Sequence, residues 1–250
     1  MSLLNRLFSA LSGQKESVAM PPPAPNAAFF AIGDIHGRDD LLARLLDKIA
    51  HAQSTGPIIC VGDYIDRGED SAGVLRRLMA LGPGITCLMG NHEDMLIRFL
   101  DMPAENGARW LRNGGLQTMA SFGIGNVTES SSAEELTDAR DRLRAAMGEP
   151  LESWLRALPT RWQSGNVAVV HAGADPALPL DVQTPETLIW GHPDFAKRAR
   201  PDGIWIVHGH TMVDDPVAVA GRISIDTGAY ATGRLTAAHV AADGLRFLQA

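Results

Sequence analysis

The chain has 250 residues, which suffice for one large domain or two small ones with a substantial core. Its 29 acidic and 22 basic side chains give a net charge of -7, which argues against nucleic-acid binding because phosphate backbones are bound by clustered Lys and Arg. Both cysteines, Cys60 and Cys87, lie inside apolar runs, so we expect buried free thiols and a reducing, cytoplasmic location.

Residues 1–26 are predicted to form a short amphipathic helix and a proline-rich linker, ahead of a main domain at 27–250. The apolar face of this helix consists of Leu3, Leu4, Leu7, Phe8 and Leu11. It lacks the continuous apolar stretch of a secretory signal, and no run is long enough to cross a bilayer, so we expect no stable membrane insertion. The linker reads "PPPAPN", which cannot join the interior of a sheet.

Short apolar runs alternate with helical patterns after the linker. The first three runs, in "FFAIGD", "PIICVGD" and "ITCLMGN", are predicted strands. The predicted helices that follow them are "DDLLARLLDKIAHA", "SAGVLRRLMALG", which Gly82 is expected to end, and "EDMLIRFLDM". This order favours a parallel sheet, in which ligands bind beyond the carboxyl ends of the strands.

The stretch from about 103 to 160 lacks clear strands and is predicted to be a helical insert over the edge of the sheet. The residues with the spacing of a buried helix face are Trp110, Leu111, Leu116 and Met119. The insert is therefore either a packing element or a lid that selects small substrates. Strand patterns return after it, and the last two, "PVAVAGRISIDTG" and "RLTAAHVAADGLRFL", have no predicted helix between them, which favours antiparallel pairs.

Five predicted strands end in polar clusters with flanking glycines: "GDIHG", "GDYIDRG", "GNHE", "VVHAG" and "VHGHT". The candidate metal ligands in them are Asp34, His36, Asp63, Asn91, His171 and His210. Asp34 and His36 would point the same way on an extended segment, and Asp63 could bridge two ions. This mixture of carboxylate, amide and imidazole suits Mn, Fe or Zn better than Mg or Ca. The pattern predicts a centre of two divalent metal ions.

Three further residues supply what phosphoester hydrolysis needs. Arg67 is predicted to hold phosphate oxygens in a bidentate grip. His92 follows Asn91, so it is expected to face the substrate and, paired with Asp66, to protonate the leaving oxygen. The sequence therefore indicates a metal-dependent phosphatase.

The order "GDIHG…GDYIDRG…GNHE…HAG…GHT" resembles the metallophosphoesterase (calcineurin-like) superfamily, and specifically its bacterial phosphoprotein phosphatase branch. The closing "ISIDTGAYATGRLTAAHV" and the "WLRNGGLQTMASFG" of the insert are similar to bacterial members. The resemblance implies an α/β fold, a four-layer α/β/β/α sandwich of two mixed sheets with a dinuclear site between them. It assigns the first metal to Asp34 and His36, the bridge to Asp63, and the second metal to Asn91, His171 and His210. Manganese is usual in bacterial members, with iron or zinc as alternatives.

The chain departs from this family pattern at one phosphate contact. Bacterial relatives often carry an Arg after the "LW" of the segment that reads "LIWGHPDF" here. His192 is the candidate substitute, and Arg198 and Arg200 either reach the site or are surface charges. The candidate substrate-binding residues are thus Arg67, Asn91 and His192.

Two more polar residues in or near these motifs, His208 and Asp226, are expected to support the site without binding a metal. His208 lies two residues before His210 and would share its facing, so we expect it to support the site or contact substrate. Asp226, in "IDTG", is expected to be a structural hydrogen-bond acceptor.

Three functions remain open. The first is a serine/threonine protein phosphatase-like phosphomonoesterase, the second a symmetrical diadenosine tetraphosphate hydrolase, and the third a non-catalytic metal-bearing binding module. The complete ligand set disfavours the third. "GDYIDRG" and "GNHE" favour the first, because dinucleotide hydrolases tend to replace the second Asp and read "GNHD". The expected partner is a phosphorylated protein or a small phosphoester, with no nucleic acid, and the sequence does not indicate the oligomeric state.

Overall fold

The computed structural model describes residues 20–52 and 56–250, so the predicted N-terminal helix lies outside the described part of the chain. The strands are β1 Phe29–Ile32, β2 Ile58–Cys60, β3 Ile85–Cys87, β4 Arg161–Ser164, β5 Val167–Val170, β6 Trp205–His208, β7 Val217–Val219, β8 Arg222–Ser224, β9 Thr236–Ala241 and β10 Gly244–Gln249. The α-helices are α1 Asp39–Ala50, α2 Ser71–Leu81, α3 Asn91–Asp101, α4 Pro103–Trp110, α5 Leu116–Ser121, α6 Ala133–Met147, α7 Glu149–Arg156, α8 Pro185–Trp190 and α9 Ala229–Thr232. A π-helical segment, Leu111–Gly115, joins α4 to α5.

The helices after β1 and β2 form where the sequence predicts them because each carries one apolar face. The buried residues of α1 include Leu41, Leu45 and Ile49, which recur at helical spacing. Asp70 begins α2 by accepting the N–H of Gly73 at 2.8 Å. The helix ends before Gly82, whose φ of 54° few other residues adopt, so the predicted stop is confirmed.

The first sheet has the strand order β10-β9-β1-β2-β3. Its three predicted strands are parallel, with Phe30 opposite Ile58 and Ile58 opposite Ile85. β9 then returns antiparallel to β1 and pairs antiparallel with β10, so the expected antiparallel pairing is confirmed. The expected absence of a helix between the last two runs is wrong, because the short helix α9 lies there. Cys60 and Cys87 face each other across β2 and β3 as buried free thiols, as expected.

The second sheet has the order β4-β5-β6-β8-β7. β5, β6 and β8 are parallel, while β4 and β7 form antiparallel edges. The sequence pattern does not reveal β4, because "RWQS" is a short and largely polar edge strand with one buried residue. Both sheets are therefore mixed.

Alternating side chains divide the core into layers. In β1, Phe29 and Ala31 face the core between the two sheets, whereas Phe30 and Ile32 face the helices outside the first sheet. The second sheet alternates in the same way, so that Val169 of β5 lies in the inner core and Val170 packs outward with Leu188 and Phe195. The predicted four-layer α/β/β/α arrangement is confirmed.

The stretch from α4 to α7 is helical and packs on the first sheet's side of the molecule. Trp110 is fully buried, with its ring centroid 4.8 Å from that of Phe99. Leu111 and Met119 are also buried, and Leu116 is half-buried, as the helical spacing predicts. These residues are therefore packing elements, and Trp110 together with the nearby Thr118 also reaches the candidate site described below.

The proline-rich run forms no strand and lies against the second sheet. The side chain of Asn166 accepts the N–H of Ala24 at 2.6 Å and donates to the carbonyl of Pro22 at 3.0 Å. The indole of Trp205 donates to the carbonyl of Pro21 at 2.7 Å. Within the described residues, no helix combines the length and apolar character needed to span a membrane.

Candidate metal centre

Polar loops follow the carboxyl ends of β1, β2, β3, β5 and β6. Because the strands of each sheet run parallel at these positions, their carboxyl ends lie at one edge, where the loops converge. The loops join two groups of metal-donor side chains, and within each group the donor atoms lie within 4.8 Å of one another. The first group is His36, Asp63 and His92, and the second is Asp63, His171 and His210.

Asp63 belongs to both groups and presents a different oxygen to each. Its Oδ2 lies 3.6 Å from His36 Nε2 and 3.8 Å from His92 Nε2. Its Oδ1 lies 3.3 Å from His171 Nε2. This is the arrangement expected of a carboxylate that bridges two ions.

Asn91 joins the second group, as the sequence predicts. Its Oδ1 lies 2.8 Å from His171 Nε2 and 2.7 Å from His210 Nδ1. Asn91 is the first residue of α3, so the amide is fixed at the point where the loop after β3 becomes helix.

Asp34 lies beside the centre and in neither group. Its Oδ2 accepts the N–H of His210 at 2.9 Å, which links the loops after β1 and β6. Its Oδ1 is buried and has no hydrogen-bond partner within the described structure. Burial and then the nearby Asp226 and Asp63 raise the pKa of Asp34 well above its usual value. Gly209 makes this approach feasible, since a Cβ there would lie 1.8 Å from Asp34 Oδ1.

The premise that Asp34 and His36 share an extended segment is wrong. β1 ends at Ile32, and His36 has a φ of 46°, in the left-handed region. The same conformation recurs in the other site loops, at Asp63, Asp66, Arg67 and His210, with φ between 55° and 71°. Such backbone is costly for residues with a side chain and persists where surrounding contacts impose it.

Glu93 supplies many of those contacts, a role that its place in the "GNHE" motif does not predict. One carboxylate oxygen accepts the N–H groups of Asp63 and Gly90, at 2.8 and 3.1 Å, and the other accepts that of Tyr64 at 2.8 Å. Burial and then the charge of Asp63 raise the pKa of Glu93 to about 8. This fully buried carboxyl ties the loop after β2 to the start of α3.

The predicted pair of His92 and Asp66 is in hydrogen-bond contact, with His92 Nδ1 2.6 Å from Asp66 Oδ2. Burial lowers the pKa of His92, but Asp63 and Asp66 outweigh it, so the pKa lies above its usual value. Asp66 is itself held by two groups of the helical stretch: Thr118 Oγ1 donates to Oδ1 at 2.6 Å, and Trp110 Nε1 donates to Oδ2 at 3.0 Å. No local sequence signal identifies these two donors, because they lie 52 and 44 residues away along the chain.

Arg67 lies at the mouth of the centre, half-buried. Its two terminal nitrogens are each 3.0 Å from a ring nitrogen, one from His36 Nε2 and the other from His92 Nε2. Its guanidinium carbon lies 5.0 Å from the ring centroid of Tyr230. The first donor group thus faces a cationic group, and Arg67 would bind an anion by exchanging these two ring contacts for it.

The three residues considered for the missing phosphate contact bond to residues other than the metal donors. Arg200 is buried and bonds to the carbonyls of Asp175 and Leu178. Arg198 is exposed, 3.7 Å from Asp194. His192 Nε2 lies 3.7 Å from Asp175, and its Nδ1 accepts the N–H of Asp194. Arg198 and Arg200 thus have structural partners, and the phosphate-binding role of His192 stays a prediction.

The side chains of His208 and His210 do not point the same way. Its Nε2 lies 2.9 Å from Ser224 Oγ, and its ring meets Phe195 edge-on at 4.9 Å between centroids. The left-handed backbone at His210 breaks the alternation on which that expectation rested. Asp226 accepts the N–H of Gly228 at 2.8 Å, as a structural acceptor would.

The donor set fits divalent metal ions. Burial lowers the pKa of His36 to about 3 and that of His171 to about 4, which leaves both imidazoles neutral and able to coordinate at neutral pH. His36 Nδ1 lies 2.8 Å from the carbonyl of Ile65, an outer contact that orients the ring. The buried Asp34 oxygen without a partner completes a set that a cation would satisfy.

Comparisons with curated proteins point to two kinds of hydrolase. The symmetrical bis(5'-nucleosyl)-tetraphosphatase of Dechloromonas aromatica is 32% identical over 149 residues, which are 60% of this chain and 45% of that protein. The chain thus matches less than half the length of this relative. The asymmetrical bis(5'-nucleosyl)-tetraphosphatase PrpE of Oceanobacillus iheyensis is 28% identical over 82% of this chain and 86% of its own. Serine/threonine-protein phosphatase 2 of Salmonella typhimurium is 25% identical over 83% of this chain and 90% of its own.

Solved structures share the fold. A candidate diadenosine tetraphosphatase superimposes with a TM-score of 0.61 at 23% identity, over 91% of this chain and 96% of its own. The cold-active protein-tyrosine phosphatase of a psychrophilic Shewanella gives a TM-score of 0.54 at 20% identity, over 89% of this chain and 80% of its own. The calcineurin-like phosphoesterase family model matches residues 27–214, most of the chain. The chain therefore belongs to the calcineurin-like phosphoesterase family, whose relatives here are named hydrolases and phosphatases.

Proposed function

We propose that this hydrolase is a phosphomonoesterase of the serine/threonine protein phosphatase type. The observation that carries the proposal is the buried pair of His92 and Asp66, in contact at 2.6 Å, beside two donor groups that share Asp63. The match to serine/threonine-protein phosphatase 2 over most of both chains supports this substrate class. We place the protein in the cytoplasm, in line with its two buried free cysteines.

Two divalent ions, manganese in our proposal, would be held by Asp34, His36 and Asp63 on one side and by Asp63, Asn91, His171 and His210 on the other. Bound there, they would lower the pKa of a water molecule and neutralise charge on the phosphoryl group. The neutral His36 and His171 imidazoles provide the ligand forms that this binding requires. Burial raises the pKa of Asp63, but the nearby His171, His92 and His36 outweigh it and hold this pKa below its usual value, so the carboxylate is ionised.

The remaining residues bind the phosphate and supply a proton. Arg67 would turn its guanidinium toward two phosphate oxygens and remain there in the transition state. Asp66 accepts a hydrogen bond from His92 Nδ1. His92 Nε2 accepts from Arg67 in this structure, so it would take up the second proton of the imidazolium once Arg67 turns to the phosphate. That proton would pass to the leaving oxygen. Trp110 and Thr118 keep the Asp66 carboxylate in position for this role.

The test compares three substrates on one preparation. Metal is removed by chelation and manganese is restored, and hydrolysis of an aryl phosphate, a phosphoserine peptide and diadenosine tetraphosphate is measured. We expect the two monoesters to be hydrolysed in preference to the dinucleotide. A strong preference for diadenosine tetraphosphate would establish the second candidate function, which the dinucleotide hydrolases among the relatives favour. Hydrolysis of none of the three would instead indicate a binding module.

A further inference from the structure

A cavity of about 480 Å³ opens beside the first donor group. Its lining residues are Gly37, Arg38, Asp39, Asp40, Arg67, Gly68, Glu69, Asp70 and Tyr230. Arg67 belongs both to this lining and to the site, where it touches the rings of His36 and His92. A substrate with its phosphate on Arg67 would therefore have this cavity next to it.

Tyr230 forms the aromatic wall of the cavity and adjoins the metal centre. Its ring stands edge-on to His36, with centroids 5.3 Å apart, and the Arg67 guanidinium lies over its face. The ring is carried by α9, which begins after Gly228 and ends before Gly233, both in the left-handed conformation. Arg38 fixes this short helix by donating to the carbonyl of Ala229 at 3.0 Å. The wall thus has a defined place beside the phosphate position.

The lining of the cavity carries charges of both signs. Arg67, which contacts the first donor group, has no carboxylate partner within the described residues. Among the other lining residues, Asp39 is paired with Arg77 and Asp40 with Arg38. Two more carboxylates remain, on Glu69 and Asp70.

Glu69 and Asp70 are exposed and form no ion pair within residues 20–52 and 56–250. Asp70 is engaged through one oxygen by the N–H of Gly73. Glu69 feels the charge of Arg38, which Asp40 already holds. The cavity lining therefore combines a guanidinium without a carboxylate partner, an aromatic ring and a net negative charge among its other residues.

We propose that this cavity is a substrate subsite for the residues that flank a phosphorylated side chain, and that it prefers Lys or Arg there. The inference rests on the proposed phosphomonoesterase function and names its substrate class more narrowly. The aliphatic stem of Lys or Arg would cover the Tyr230 ring, and its charged end would meet the exposed Glu69 and Asp70. Additional phosphates of a dinucleotide polyphosphate would instead face Glu69 and Asp70, which opposes their binding. Tyr230 is thus a specificity-determining residue.

The experiment uses the manganese-loaded full chain and phosphoserine peptides that differ only in carrying Lys, Gln or Glu beside the phosphoserine. We expect kcat/KM to fall in that order, with the Lys peptide about fivefold or more above the Glu peptide at low salt and a smaller ratio at high salt. Glu69→Lys should invert the order. Asp181→Lys, an equal change of charge at an exposed residue outside the cavity lining, should preserve it.

A matched pair of variants tests the aromatic wall. Tyr230→Leu should shrink the ratio between the Lys and Glu peptides, whereas Tyr230→Phe, which keeps the ring and removes the hydroxyl, should retain it. Equal hydrolysis of the three peptides, or faster hydrolysis of the Glu peptide, would overturn the subsite and leave the phosphomonoesterase function standing. Hydrolysis of none of the peptides or of an aryl phosphate would overturn both.

Discussion

The two metal-donor groups are built in different ways, although both lie at strand ends. The first draws on loops of the first sheet that Glu93, Trp110 and Thr118 hold through buried side-chain hydrogen bonds. The second depends on two separate histidines, His171 and His210, that meet at Asn91. The first group, which has more buried hydrogen bonds around it, adjoins the proposed acid and the proposed substrate mouth. The second group, which has fewer, would complete the proposed set of metal ligands. The side chains held by the most buried hydrogen bonds are therefore those beside the proposed proton transfer.

Asp63→Asn should have the largest effect, because Asp63 is the residue that the two groups share. We expect the loss of metal affinity to exceed the roughly 10–100-fold change that follows loss of an outer contact, and activity to be abolished. Metal content per chain and kcat as a function of added manganese measure this. His210→Gln is the comparison, since it should weaken the second group alone. Two tightly bound ions in Asp63→Asn would contradict the bridging role.

His92→Asn should separate chemistry from metal binding within the first group. We expect kcat to fall by about 10²–10⁴-fold, and most for alkyl phosphates, whose leaving groups need a proton. Metal content should remain close to that of the unchanged chain. Hydrolysis of alkyl phosphates at the original rate would show that the acid assignment is wrong, and a lost ion would show that His92 is a ligand.

Arg67→Ala should weaken the phosphate grip without removing either donor group. KM should rise and kcat should fall together, because the contact persists into the transition state. Steady-state kinetics with an aryl phosphate measure both constants. An unchanged KM would count against phosphate binding by Arg67.

Thr118→Val should test the bracing itself. It removes one donor from the buried Asp66 carboxylate, so we expect the free energy of unfolding to fall by about 1–3 kcal/mol and kcat to fall severalfold. Thr118→Ser keeps the hydroxyl and should restore kcat to a large extent. Full activity in Thr118→Val, measured below its unfolding temperature, would mean that the brace does not act on catalysis.

Arg198→Ala should have the smallest effect. Its exposed ion pair with Asp194 is worth about 0.5 kcal/mol or less, and its contacts lie away from the donor groups. We expect unchanged KM values for phosphoesters and an unfolding free energy within that amount. A raised KM would show that Arg198 reaches the phosphate.

The strand-end motifs could be predicted because glycines and polar residues mark them within a few consecutive positions. The parallel sheet, the convergence of the loops and the contact of His92 with Asp66 followed from that local pattern. The directions in which the Asp34 and His208 side chains point could not be deduced from this pattern, because left-handed backbone at His36 and His210 breaks the strand alternation. Metal ligation and the proposed acid role stay predictions that the experiments above address.

The long-range hydrogen bonds that hold Asp66 could not be predicted from a sequence pattern. Trp110 and Thr118 have the spacing or burial of ordinary core residues, and only the folded chain brings them to Asp66. Tyr230 lies on a helix of four residues, too short for a periodic signal. The edge strand β4 was not predicted for a related reason, because its largely polar residues lack an alternating apolar pattern.

The docking of the proline-rich run has a practical consequence. Asn166 and Trp205, which hold it, stand at the amino ends of β5 and β6, whereas the metal donors follow the carboxyl ends of the same strands. The proline-rich run thus lies about one strand length, roughly 13 Å, from the edge that carries the metal donors. An affinity handle or surface tether joined directly to Met20 would begin at the edge of the second sheet opposite the proposed substrate mouth.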